Sequence, residues 1–316
     1  MPTRKSPRKG SLQYWPRSRA SKLLPRVNWN IINSKKPLKG FICYKAGMVS
    51  AFVKDNTEHS MTKGKKVVIP ATILECPPMK IFSVRFYKNG IVAKDILAEN
   101  LDKELKKKLK FPKGKSLHNL SSINLGDYDN ISVICYSQVK KTGMKKTPDL
   151  SELGISGTMD EKLSFVKENL NKEISVSDVF DKGFVVDFRG LTKGKGFSGP
   201  VSRFGVTLKS HKSEKGRRRP GSLGPWHPAR VTFRAPMAGQ LGMFTRISYN
   251  NKILDMGKAE NASKLKHLKN FGDIKTDYVV VHGSVQGPAK RQLIMASPLR
   301  ETKKQVKKKY DFIELR

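Results

Sequence analysis

The side chains able to do chemistry in this chain are cations in a flexible, glycine-rich setting. From Arg189 to Arg246 there are 13 Lys and Arg residues, ten glycines and a single acidic residue, Glu214, in 58 positions. The centre of that stretch reads KGRRRPGSLGPWHPARVTFR. Such a segment has too few apolar residues and too much like charge to bury a core of its own. The chemistry it offers is neutralisation of a polyanion. Arg217, Arg218 and Arg219 each carry a planar fork that can bridge phosphate oxygens bidentately, which an ammonium cannot do. Trp226, between Gly224-Pro225 and His227-Pro228, is placed to stack on a base or wedge between RNA helices; the bland alternative is a core anchor.

Other chemistries are poorly served. GKGFSG at 194–199 is a literal GxGxxG, but a dinucleotide fingerprint needs a helix to start there within a βαβ unit. Pro200 and Gly205 argue against a good helix. The glycines then allow close approach of backbone to a ligand, with Lys193 and Lys195 meeting phosphates. The six histidines are scattered, no GxSxG elbow is present, and no catalytic set emerges. Cys43, Cys76 and Cys135 are far apart and form no CxxC pair, which predicts buried, inert thiols, no metal site and a reducing compartment. No cofactor and no small-molecule substrate are expected.

The whole chain supports the cationic reading. It has 63 Lys and Arg against 26 Asp and Glu, a formal net charge of +37 in 316 residues. A field of that size draws a protein to nucleic acid or to anionic membrane. No apolar run reaches the ~20 residues of a spanning helix, and the basic N-terminus has no apolar signal region, so no membrane partner is expected.

The charge lies in blocks. Residues 1–54 hold 13 Lys and Arg and no acidic residue. Residues 1–36 read as a basic N-terminal extension without its own core, with Tyr14, Trp15 and Trp29 interleaved. Residues 37–94 carry β-rich runs (FICYKAGMVSAFV, VVIPATILEC, IFSVRFY), with Pro70 suggesting an edge or a bulge. Residues 95–182 hold 14 acidic residues against 15 Lys and read as a small α+β insert facing solvent. In it, LDKELKKKLK is expected as a short helix, ISVICYSQV as a strand, and MDEKLSFVKENL as an amphipathic helix capped by Asp160, with Leu163, Val166 and Leu170 on one face. β texture resumes over 183–300 and contains a basic finger, 197–243. Residues 301–316 read as a charged tail. Many short strands and few helices imply a barrel or sandwich.

Several blocks together resemble the universal ribosomal protein L-three family of the large subunit, in its archaeal type. RKGSLQYWPRSRA is similar to that family's N-terminal arm, FICYKAGM to its opening strand, and VVIPATILECPPMKIFSVRFY to its paired strands. DFRGLTKGKGFSGPVSRFG, GSLGPWHPARV, AGQLGMFTR and VHGSVQGPAKRQL resemble further blocks in the same order, from about residue 8 to 295. Eukaryotic members have a histidine twelve residues before the finger Trp, and this chain has Glu214 there, so a role tied to that histidine is not carried over.

The resemblance implies a mainly β fold with an α+β insert: a six-stranded β-barrel of the translation-protein type with two long RNA-penetrating extensions. It implies a structural role in the cytoplasmic large ribosomal subunit, with ribosomal RNA and neighbouring proteins as partners. That role covers early assembly and the surroundings of the peptidyl-transferase centre and tRNA entry path. The residues expected to meet RNA are Arg4, Lys5, Arg8, Lys9, Tyr14, Trp15, Arg17 and Arg19 in the arm. Around and within the finger they are Lys193, Lys195, Arg203, Lys215, Arg217, Arg218, Arg219, Trp226, His227, Arg230 and Arg234, followed by Arg246, Lys290 and Arg291. An assembly factor or nucleoid protein of similar charge, or a nucleotide-dependent RNA-modifying enzyme using GKGFSG, are the competing readings.

Overall fold

The computed structural model describes residues 11, 13–110, 124–258, 260 and 265–316. The expected contacts of Arg4, Lys5, Arg8 and Lys9 lie outside the described residues. The chain divides into two compact units, Met1–Lys22 with Leu191–Thr245, and Leu23–Gly190 with Arg246–Arg316.

The second, larger unit is mainly β. Its strands are β1 (Gly40–Asp55), β2 (Lys66–Cys76), β3 (Met79–Lys88), β4 (Ile91–Leu97), β5 (Asn130–Ser137) and β6 (Leu150–Gly154). The helices α1 (Met159–Asn169) and α2 (Val176–Val179) follow, then β7 (Val185–Leu191). In the first unit lie β8 (Phe197–Ser198), α3 (Pro200–Phe204) and β9 (Gly239–Gln240). β10 (Thr245–Gly257), β11 (Asp277–His282), β12 (Gln292–Ala296), α4 (Lys303–Lys307) and β13 (Tyr310–Leu315) complete the chain.

One sheet runs β12-β7-β10-β11-β2-β1-β13, and β1 pairs with β12 as well. That extra pairing joins Gly40–Tyr44 to Gln292–Ala296, while the same strand pairs with β2 from Tyr44 onward. The first seven residues of β1 are buried because both of its faces are covered there; its later half alternates, as a strand with one wet face must. Pro70 lies where β2 loses its partner β11, whose last pair is His282 with Ala71. Ser50, opposite Pro70, exchanges both of its backbone hydrogen bonds with Arg316, so the missing N–H of Pro70 removes no bond from the β1–β2 ladder. The edge reading holds locally; the bulge is elsewhere, between Lys45 and Gly47.

A second sheet, β4-β3-β5-β6, redraws the insert. β3, read from sequence with the first β block, hydrogen-bonds with β4 and β5 instead. Alternation along IFSVRFY marks a strand but says nothing of which neighbour it takes. The apolar side chains of this sheet, among them Val84, Phe86, Ile131 and Val133, share one core cluster with Phe41, Phe188 and Ile294 of the other.

Four local expectations change. LDKELKKKLK forms only a 3-10 turn over Lys103–Lys107, its cap residue Asp102 making no side-chain cap bond. The cap of α1 is Thr158, not Asp160. Thr158 Oγ1 accepts from the Glu161 N–H at 3.4 Å and Glu161 Oε2 from the Thr158 N–H at 3.0 Å, a reciprocal box that leaves Asp160 in the first turn. Trp29 is no part of a coreless arm. It is 7% exposed and donates from its indole to the carbonyl of Glu152 at 2.9 Å. Its ring lies where Gly40 and Gly154 have no side chains, so a Cβ at either would collide with it. Finally, the charged tail is a strand. β13 pairs with β1, and Tyr310, Phe312 and Leu315 pack on the smaller core cluster.

The three cysteines are free and buried. Burial pushes the Cys135 thiol up to about 12, far from reactivity at neutral pH. No helix among the described residues is long and apolar enough to cross a membrane.

Candidate nucleic-acid interface

The basic stretch leaves and rejoins the sheet through a narrow two-stranded neck. Thr192 donates to the Phe244 carbonyl and Lys195 to that of Leu241, while Leu241 donates back to Gly196. β8 and β9 continue the pairing, Phe197 with Gln240 and Ser198 with Gly239. The two halves approach so closely at Gly242, whose φ is +78°, that a Cβ there would overlap the carbonyl of Lys193. Ala20 of the N-terminal segment donates to the Met243 carbonyl and joins the same neck.

Beyond the neck α3 forms, against the expectation that Pro200 and Gly205 prevent a helix. Pro200 sits in its first turn, where its missing N–H has no helical partner to lose, and Gly205 closes it in the left-handed region at φ +65°. The helix is one turn long and is not part of a βαβ unit, so it gives the GxGxxG no dinucleotide frame.

Phe204 on α3 is the one fully buried large side chain of this region, at 3% exposure. Trp15 stacks against it and meets Phe233 edge-on, with ring centroids 6.1 and 5.5 Å apart. The Arg17 guanidinium lies 4.3 Å from the Phe204 ring centre and donates to the Arg203 carbonyl at 3.1 Å. Arg203 is spent on protein as well, donating to the carbonyls of Gln240 and Met237 at 3.0 Å each. Trp15, Arg17 and Arg203, read from sequence as RNA contacts, therefore also build the base of the finger.

From Gly205 to Arg234 the chain carries eight Lys and Arg and one Glu. All eight are exposed. Arg217 loops back on Lys209, its N–H side chain donating to the Lys209 carbonyl at 3.2 Å and its own carbonyl accepting the Lys209 N–H. Lys215, Arg218, Arg219, Arg230, Arg234 and His227 share this exposed surface, and Trp226 is 80% exposed, so it anchors no protein core. Lys193 and Lys195 are exposed on the neck, as are Tyr14 and Arg19 on the N-terminal segment. Phe197, 82% exposed inside GKGFSG, is a large exposed aromatic beside Lys195 that the sequence reading did not single out.

Arg246, Lys290 and Arg291 belong to the larger unit. Lys290 is exposed at φ +67°, while burial pushes the Arg291 guanidinium below its usual range. The turn that presents Lys290 and Arg291 is pinned from below. The buried Lys45 ammonium donates to the carbonyls of Val285 and Gly287 at 2.5 and 3.3 Å. The sequence reading did not single out Lys45, since a buried lysine in a strand looks the same as an exposed one.

Among the described residues no group of His, Cys, Asp and Glu is arranged to hold a metal ion. Burial, and after it the Lys308 charge, push the half-buried His282 imidazole at the end of β11 below its usual range. The geometry offers a glycine-hinged, exposed cationic loop on a braced neck, which defines a nucleic-acid-binding protein.

Comparison with known proteins places it more narrowly. Residues 1–315 match the family Ribosomal protein L3. The large ribosomal subunit protein uL3 of Archaeoglobus fulgidus is 39% identical over 307 residues, covering 94% of this chain and 93% of that protein. Its counterpart in Methanocaldococcus jannaschii is 38% identical over 308 residues, covering 93% and 91%. The chain belongs to the ribosomal protein L3 family.

Proposed function

We infer that this protein is a structural constituent of the large ribosomal subunit and that it works by charge and shape, without catalysis. Its partners are large-subunit ribosomal RNA and neighbouring ribosomal proteins, which locates it in the cytoplasmic ribosome. The observation that carries the mechanism is the run from Gly205 to Arg234 on its braced neck, with eight exposed cations and one acidic residue. Lys and Arg there replace counterions between crowded phosphates, and the glycines let the backbone pack close. Such a finger joins RNA segments distant in sequence during early assembly and shapes the region around peptide-bond formation and tRNA entry.

The six strands β12, β7, β10, β11, β2 and β1 form the barrel of the translation-protein type in this reading, with β13 added outside. The double pairing of β1, to β2 and to β12, supports closure. The N-terminal segment and the finger are its two extensions.

Co-sedimentation with large subunits after a high-salt wash tests the function. Retention in stoichiometric amount is expected. Release together with binding to unrelated duplexes would favour an assembly factor or nucleoid protein, and saturable nucleotide binding by the free protein would favour an enzyme.

A further inference from the structure

Within the larger unit a cavity of about 510 Å³ opens between residues 27–30, the β3–β4 turn, β5, β6 and α1. Two ammonium groups line it from separate elements: Lys39, just before β1, and Lys162 on α1. Lys39 Nζ donates to the Trp29 carbonyl at 3.0 Å, and Lys162 Nζ to Asn130 Oδ1 at 2.7 Å. Each therefore holds a neutral oxygen and keeps donors to spare. Burial pushes both below the usual lysine range, and the Lys162 charge pushes Lys39 further in the same direction. Two like charges share this partly desolvated cavity, an arrangement that a bound anion would relieve.

The wall carboxylates are engaged elsewhere. Glu152 accepts from Tyr87 and Ser132 on one oxygen and from Arg85 on the other. Asp129 accepts the Asn89 N–H. At the rim, Asn28 Oδ1 accepts from the Asn30 N–H, and Asn30 Oδ1 accepts from Asn130. Both amide groups of Asn28 and Asn30 thus keep their NH₂ as donors.

We propose that this cavity is a phosphate-binding site, with Lys39 and Lys162 supplying charge and Asn28 and Asn30 further donors, and that its occupant is a backbone phosphate of the ribosomal RNA. The site lies in the larger unit, outside the finger and residues 1–22. Its occupant rests on the RNA-binding reading above; the phosphate chemistry does not.

The first test titrates the full-length protein, carrying isotopically labelled lysine, with inorganic phosphate. The Lys39 and Lys162 resonances should shift saturably in the millimolar range, and both groups should become harder to deprotonate. Lys162→Gln, on a helix surface that tolerates it, should weaken binding about tenfold, the loss of one charge-assisted contact. Absence of saturation, or equal binding by Lys162→Gln, overturns the site.

The second test uses large subunits containing Lys162→Cys, labelled there with a photo-cross-linker; the native cysteines are buried. A cross-link to ribosomal RNA is expected. Phosphate binding without that cross-link overturns the RNA occupant and leaves a free phosphate as the ligand. Loss of co-sedimentation would instead sink the wider ribosomal reading, so the two failures are distinguishable.

Discussion

Trp15 stacks on Phe204 with their ring planes 17° from parallel, tying the N-terminal segment to the start of the finger. Phe233, at the finger's other end, meets the same indole edge-on, so three distant stretches share one small apolar contact. Of the three rings only Phe204 is buried, so the contact braces the segment without forming a core like those of the larger unit.

Phe204→Ala should release the N-terminal segment. An aromatic pair contributes about 0.5–1.5 kcal/mol beyond its buried area. Limited proteolysis of the free protein should then cut faster within 13–22, with cleavage across 207–234 already fast in both forms. Unchanged cleavage of 13–22 would show that Ala20 and Arg17 hold the segment without the ring.

Gly242→Ala should open the neck. The position combines a left-handed φ with backbone contact to Lys193, and strain of this kind costs roughly 1–3 kcal/mol or more. Hydrogen exchange at the Lys195 and Leu241 amides should accelerate, while the amides of β1 and β2 stay protected. Global unfolding in step with the neck would show that the two units do not unfold separately.

Salt dependence reports how many phosphates are met. For about 10 contacts, log affinity should fall against log salt with a slope near −7 to −9. Replacing Arg217, Arg218 and Arg219 by Ala should make that slope shallower by roughly 2 to 3. A wild-type slope shallower than about −3 would mean that most of the charge is solvated surface.

Trp226→Ala should leave the free protein as stable as before, because the side chain is exposed. Base stacking on an aromatic contributes roughly 1–3 kcal/mol, small beside the remaining contacts, so incorporation into subunits should persist. Chemical probing of RNA near the tRNA entry path, and the rate or fidelity of tRNA acceptance, should change. Unaltered reactivity and translation would remove any positioning role for Trp226.

Glu75 makes stability depend on pH. Burial raises its carboxyl above the ordinary value of 4.5, although Oε1 accepts from the Lys275 and Thr276 N–H groups and the Thr276 hydroxyl. A raised folded-state value means that the stabilising contribution is complete below pH 4.5 and is lost as pH rises through the folded value. Glu75→Gln should remove this loss, so its melting temperature should gain on the wild type as pH rises from 4 to 7. A constant difference across that range would mean that Glu75 titrates as it does in the unfolded chain.

The sequence by itself determined which part of the chain cannot fold on its own. Thirteen cations and ten glycines between Arg189 and Arg246 leave too little to bury, and the structure leaves Gly205–Arg234 exposed for that reason. Blocks such as TKGKGFSG and GPWHPAR also carried the family, since order and spacing survive without any knowledge of contacts. β-rich runs bounded by turn signals located β1, β2, β3 and β5. Only the tertiary structure decided what each element meets. Trp15 and Trp29 sit in the same basic, Pro-rich arm, yet one braces the finger and the other fills the space over Gly40 and Gly154. β3 reads like β2 but pairs with β5, and a tail with six cations becomes an edge strand because Phe312 and Leu315 find apolar partners there. Composition and period are properties of a segment, whereas burial, pairing partner and the spending of an arginine on a carbonyl are properties of whatever lies beside it. That neighbour comes from far along the chain.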